Sequence, residues 1–140
     1  MADANRKAPR LNEAKFSYIT DEVILNDEII YVGEMVQKDD STLEVAAATA
    51  VSGVFVLGVS TKYVDNAADG ETLNFISTAI HGMVNDGSIT AKDRGEVAYV
   101  LDAATVSISA ASAATTNVAG RIVDVDASYV YVDFDPSIKG

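Results

Sequence analysis

Gly33-Glu34-Met35-Val36, a run of small residues, and then Gly53-Val54-Phe55-Val56-Leu57-Gly58-Val59 form the stretch from which the fold is read. Its second half is apolar at successive positions, so both faces are covered, as in a central strand or a barrel wall. The stretch is echoed once. At a spacing of 62 positions Gly33-Glu34 falls on Gly95-Glu96, Asp40 on Asp102, Ala48 on Ala110 and Gly58 on Gly120, without a gap. The spacing predicts one β unit used twice.

Between the two halves, residues 41–52 admit two readings. Ser41-Thr42-Leu43-Glu44 matches a helix capping box and the alanines after it favour helix, whereas Val45, Thr49, Val51 and the early Gly53 favour a strand and turn. Upstream, Asn26-Asp27 marks a turn, and Ile29 to Val36 reads as a strand with Ile30, Val32 and Val36 on one face. Ala14 to Leu25 holds β-formers (Phe16, Tyr18, Ile19, Val23, Ile24) whose alternation slips between Tyr18 and Ile19. It is expected to be extended and to pack on something, a neighbouring chain among the options. Residues before about Asn12 are polar, aperiodic and contain Pro9, and are expected to be an unstructured arm.

Downstream, residues 66–71 have turn chemistry and Thr72 to Ser77 alternates as a half-buried strand. Ala79 to Val84 is another strand, and Asn85-Asp86-Gly87-Ser88 predicts a hairpin in which Ile89 pairs back. A turn at Asp93-Arg94-Gly95 leads to Glu96–Leu101, with Ala98 and Val100 on one face. Val106 and Ile108 mark a short strand in an Ala/Ser/Thr-rich segment. The last hairpin runs Val118–Val125, turns at Asp126-Ala127-Ser128, and returns as Tyr129–Phe134 with Val130, Val132 and Phe134 on one face and Tyr129, Tyr131 and Asp133 on the other. Glycines are expected between strands or at their ends, and both prolines outside the strand body. The predicted fold is all-β, a small β-barrel or β-tulip-like domain over residues 26–140, preceded by an arm and extended segment over 1–25.

A chain of 140 residues suffices for one core, and it has no cysteine to staple it. Its longest apolar run falls far short of a membrane span, and no export signal is expected in its polar N-terminus. The net charge of −11 is uneven: Arg6, Lys7, Arg10 and Lys15 against Asp3 and Glu13 leave the first fifteen residues at +2 and the rest at −13. An acidic body repels phosphate, so nucleic acid is not an expected partner.

The residues offer little catalytic chemistry. The single histidine, His81, lies in an apolar strand, with only loop serines as nearby nucleophiles. Asp39-Asp40, Asp124 with Asp126, and Asp133 with Asp135 are close in sequence, but none has calcium-loop spacing and Asp at turns commonly caps amides. No phosphate-cradle spacing occurs. Tyr129 and Tyr131, opposite the valines, form a candidate aromatic platform. No catalytic residue, cofactor or metal is expected, and the chain is read as not an enzyme.

Taken in order, Gly-Glu-Met-Val at 33, Gly-Val-Phe-Val-Leu-Gly-Val at 53, Asp-Gly-Glu-Thr at 69, Gly-Glu-Val-Ala-Tyr-Val at 95, Val-Ala-Gly-Arg-Ile-Val at 118 and Tyr-Val-Tyr-Val-Asp-Phe at 129 resemble the capsid decoration (cement) and head-fibre proteins of tailed bacteriophages. The resemblance covers about residues 27–134. It implies a compact β-barrel or tulip-like domain, commonly trimeric, on the outer capsid surface at three-fold or quasi-three-fold positions, with an N-terminal extension that often makes contacts. The partners it implies are the major capsid protein and the chain itself, as a homotrimer, without nucleic acid or membrane. Arg6, Lys7, Arg10, Phe16, Tyr18 and Ile19 are the capsid- or subunit-contact candidates. A carbohydrate-binding or adhesion module, with a surface glycan as ligand, is the competing reading.

Overall fold

The computed structural model describes residues 18–19, 22–24, 28–39, 44–52, 54–66, 72–73, 76–109 and 115–135. Within them the chain is all-β. The strands are β1 Tyr18–Ile19, β2 Glu22–Val23, β3 Ile29–Ile30, β4 Met35–Asp39, β5 Val45–Ala47, β6 Val54–Ser60 and β7 Val64–Asp65, then β8 Thr72–Leu73, β9 Ile76–Ser77, β10 Ile80–Asn85, β11 Val97–Asp102, β12 Thr105–Ser107, β13 Val118–Val125 and β14 Tyr129–Asp133. A short 3₁₀ turn, Ala91–Asp93, precedes β11.

Two five-stranded units of one design follow each other. The first is a sheet in the order β1-β9-β6-β4-β5, and the second is a closed barrel whose cyclic order reads β10-β14-β13-β11-β12. A parallel pairing of β10 with β12 closes the barrel, at Val84 with Thr105 and Asn85 with Val106. In the first unit a single parallel bridge, Ile24 to Val45, spans the corresponding gap.

The correspondence extends to register at the predicted spacing. Met35 pairs with Val59, Val36 with Gly58 and, after a bulge, Gln37 with Val56. In the second unit Val97 pairs with Arg121, Ala98 with Gly120 and, after a bulge at the same place, Tyr99 with Val118. The turn before each unit's central pair is also repeated. Gly33 and Gly95 take φ of 90° and 89°. Their amides donate to Ser60 and Ile122, both at 2.8 Å, and the amides of Ser60 and Ile122 donate back to Glu34 and Glu96, again at 2.8 Å. A positive φ is cheap for glycine and costly for other residues, which explains why this position is glycine in both copies.

Several expectations change. Ile29–Val36 is not one strand: the Val32-Gly33 turn divides it, with the Glu34 carboxylate accepting the Tyr31 amide at 2.9 Å, so Val32 is exposed while Ile30 and Val36 are buried. Residues 45–47 are strand, which settles the described part of the helix-or-strand segment. The 72–77 stretch supplies two short strands to three partners, β8 pairing with β2 and β9 with β1 and β6. The Asn85–Ser88 turn forms, yet Ile89 does not pair back; the Asn85 side chain donates to the Ile89 carbonyl at 2.9 Å and Ile89 is buried in the core. Glycines also sit inside strands, at Gly58, Gly82 and Gly120.

The segment 18–24 belongs to the first unit. Tyr18 and Ile19 pair with Ser77 and Ile76, and Glu22 and Val23 with Leu73 and Thr72. Ile24 is 1 % exposed, packed with Ile30, Val36, Val45, Val64 and Ile76. Burying such a side chain contributes about 2 kcal/mol. Residues 18–19 and 22–24 therefore pair with their own chain, and Ile24 is buried within it.

Candidate interaction surface

The contact candidates Arg6, Lys7, Arg10 and Phe16 lie outside the described residues, as do both prolines and the arm before Asn12. Tyr18 and Ile19 are placed by backbone pairing at the edge where β1 meets β9.

The first unit carries an apolar cluster on its surface. Tyr31, Val32 and Tyr63 are 55 %, 63 % and 50 % exposed, and the two tyrosine rings lie tilted with centroids 5.5 Å apart. Ile29, exposed on β3, pairs with Asp65 beside them. The repeat supplies an internal comparison. Tyr31-Val32-Gly33-Glu34 and Asp93-Arg94-Gly95-Glu96 form the same turn, with the Glu34 amide donating to Tyr31 at 3.2 Å and the Glu96 amide to Asp93 at 2.9 Å. One copy of the turn folds with two charged residues where the other shows an aromatic and a valine to solvent. The turn itself does not require the apolar pair, and an exposed apolar cluster of this kind is a candidate contact surface.

Tyr129 and Tyr131 are both exposed on β14, opposite the buried Val130 and Val132, as expected. The Tyr131 ring lies over Gly82 of β10, where a Cβ would come within 3.2 Å of it. Partial burial, then the negative charge of Asp126, push the Tyr131 phenol above its ordinary value; its hydroxyl points to Asp126 Oδ2 at 3.5 Å, the long limit of a hydrogen bond. Asp126 itself is held below the usual carboxylate range by the Tyr129 and Ser128 amides, which donate to Oδ1 at 2.8 and 2.9 Å. Asp124 and Asp133 likewise accept nearby amides, from Val125 and Asp135. These carboxylates act as turn caps, and no cluster of three metal-ligating groups occurs among the described residues.

Sequence reasoning missed one pair. His81 Nε2 lies 2.7 Å from Ser77 Oγ, and that oxygen also accepts the Ala79 amide at 3.2 Å. Ser77 ends β9 of the first unit and His81 lies in β10 of the second, so the pair staples the connection between units. Ser77 is buried, and the imidazole sits against Phe134 with ring centroids 6.1 Å apart. A nucleophile must reach its substrate, and this hydroxyl faces the interior. The only signal for it was the four-residue spacing, which says nothing until the connection is known to be tight. No protein-family model, curated protein or solved structure matches the chain.

Proposed function

We propose that this chain is a capsid decoration protein: a structural clamp, homotrimeric on its target, bound to the outer surface of a phage shell where major capsid subunits meet. The resemblance across residues 27–134 supports that reading. The observation that carries it is the Tyr31–Val32–Tyr63 cluster, exposed and apolar on a β framework whose repeated turn forms elsewhere with charged residues. A clamp that adds interface only in the assembled shell stabilises that state by mass action. Three copies joined together multiply weak individual contacts.

The adhesion reading has its own observation, the exposed Tyr129 and Tyr131 on one face of β14. Aromatic faces of this kind stack on sugar rings. Co-sedimentation with empty shells of the encoding phage, alongside a glycan array, separates the two. Expected is co-sedimentation that Tyr31→Ser with Tyr63→Ser weakens by tenfold or more, on the order of the 1.4 kcal/mol per decade that a lost hot-spot pair exceeds, while Tyr129→Ser leaves it unchanged. Glycan binding that depends on Tyr129 and Tyr131, without shell binding, favours the adhesin.

A further inference from the structure

The two units do not meet through equivalent surfaces. The first contributes the outer face of β4 and β6, with Met35, Val56 and Val59 buried in the same cluster as Val100, Val106 and Phe134 of the second barrel. The second barrel contributes its end. The Ala103 carbonyl accepts the Met35 amide at 2.8 Å, and Asn117 Nδ2 donates to Gln37 Oε1 at 2.9 Å and to the Thr49 carbonyl at 2.8 Å. A contact between unlike surfaces of like units leaves one of each kind without a counterpart among the described residues, and such contacts propagate or close into rings.

The repeat identifies the unused face. In register, Met35, Gln37, Val56 and Val59 correspond to Val97, Tyr99, Val118 and Arg121. Those four are half-buried where their counterparts are buried. Val97 and Tyr99, with Ile108, line an open groove of about 340 Å³ edged by Lys92, Asp93 and Glu96. We infer that this face of the second barrel receives the first unit of a second copy, head to tail, as its twin receives the second barrel within the chain.

Charge favours that occupant. After residue 15 the chain has only six lysines and arginines, and three of them, Lys92, Arg94 and Arg121, lie on or next to this face against Asp93 and Glu96, a net +1 on a chain that is strongly acidic elsewhere, with Arg121 Nη1 donating to the Gly95 carbonyl at 2.8 Å. A chain that is otherwise acidic is attracted to this face. Arg121 standing where Val59 stands in the twin suits a contact that must form in water between separate chains. The inference depends on the repeat and not on the capsid reading, which can fail while this holds.

The test is mass by light scattering of the full chain up to high micromolar concentration. An oligomer is expected, falling to monomer in Val97→Asp and in Tyr99→Glu with strand-type circular dichroism retained. Met35→Ala, at the contact within the chain, is expected to lower the melting temperature and keep the oligomer. Should either face variant fail to fold, Lys92→Glu on the exposed rim is expected to weaken association at least several-fold, with the loss shrinking as salt rises. A wild-type chain that stays monomeric, or an oligomer of unchanged mass in the face variants, overturns the inference. So does a wild-type monomer whose first residues become protease-sensitive only in Val97→Asp, because the chain's own arm would then occupy the face.

Discussion

Gly58 and Gly120 occupy one site in two copies. A Cβ on Gly58 would run into the Ser77 carbonyl oxygen and one on Gly120 into the Asp133 carbonyl oxygen. In each case the next residue pairs with the residue that owns that oxygen, Val59 with Ser77 and Arg121 with Asp133. Backbone cannot yield as a flexible side chain does, so Gly58→Ala and Gly120→Ala are each expected to destabilise by about 1–3 kcal/mol in urea unfolding. Gly33, whose missing Cβ would meet nothing, tests the contrast: alanine there strains only the turn. Asp86 offers a pH test at the same scale. Burial pushes its carboxyl up, but hydrogen bonds from the Ser88 hydroxyl and amide outweigh this and hold it below the ordinary carboxylate range. A depressed folded value means stability that is present above the unfolded pKa and lost as pH falls through the folded one. Asp86→Asn is therefore expected to lower the urea midpoint at neutral pH and to flatten its decline on acidification. An unchanged acid limb would show that the turn does not depend on the charge.

The segment 18–24 makes the sharpest statement among the elements. Ile24 bridges Val45, the Asn66 side chain donates to the Ile24 carbonyl at 3.0 Å, and Glu28 accepts the Ala47 amide at 2.7 Å, so this stretch closes the first unit. Removing residues before about Asn12 is expected to leave the melting temperature within a degree or two, whereas removal through Leu25 strips a buried Ile and two strands and costs several kcal/mol, enough to unfold a marginal domain. Equal melting curves for the two truncations would contradict this placement. The repeat and the last hairpin were legible because their signals are local: paired glycines at fixed spacing, alternation over five to eight residues, turn residues between. What escaped was non-local. Nothing near Ile24 announces Val45, the Val32-Gly33 turn has a strand-like composition on either side, and Ile89 leaves its hairpin because the barrel interior takes it. The candidate surface was half legible. Tyr129 and Tyr131 show their face by period two, whereas Tyr31 and Tyr63 meet only through the pairing of β3 with β7.

At the scale of the whole molecule, two like units meet through one buried cluster, while the first keeps a second cluster of its own around Ile24 and Val36, and they present unlike surfaces: an apolar cluster on the first, a groove of mixed charge on the second. No described helix is long and apolar enough to cross a membrane. The proposed clamp needs separate contact faces, so that each can hold a different neighbour. Binding to the assembled shell alone adds RT ln(1 + [L]/Kd) per site, about 4 kcal/mol when ligand exceeds Kd a thousandfold. The most direct measurement is the rupture temperature of phage shells lacking this protein, scanned before and after adding it back. A rise of several degrees with the full chain, lost with Tyr31→Ser and Tyr63→Ser together, is the expected result. Saturable binding to the shells with no change in rupture temperature would contradict the clamp and leave the protein an adhesin carried on the particle.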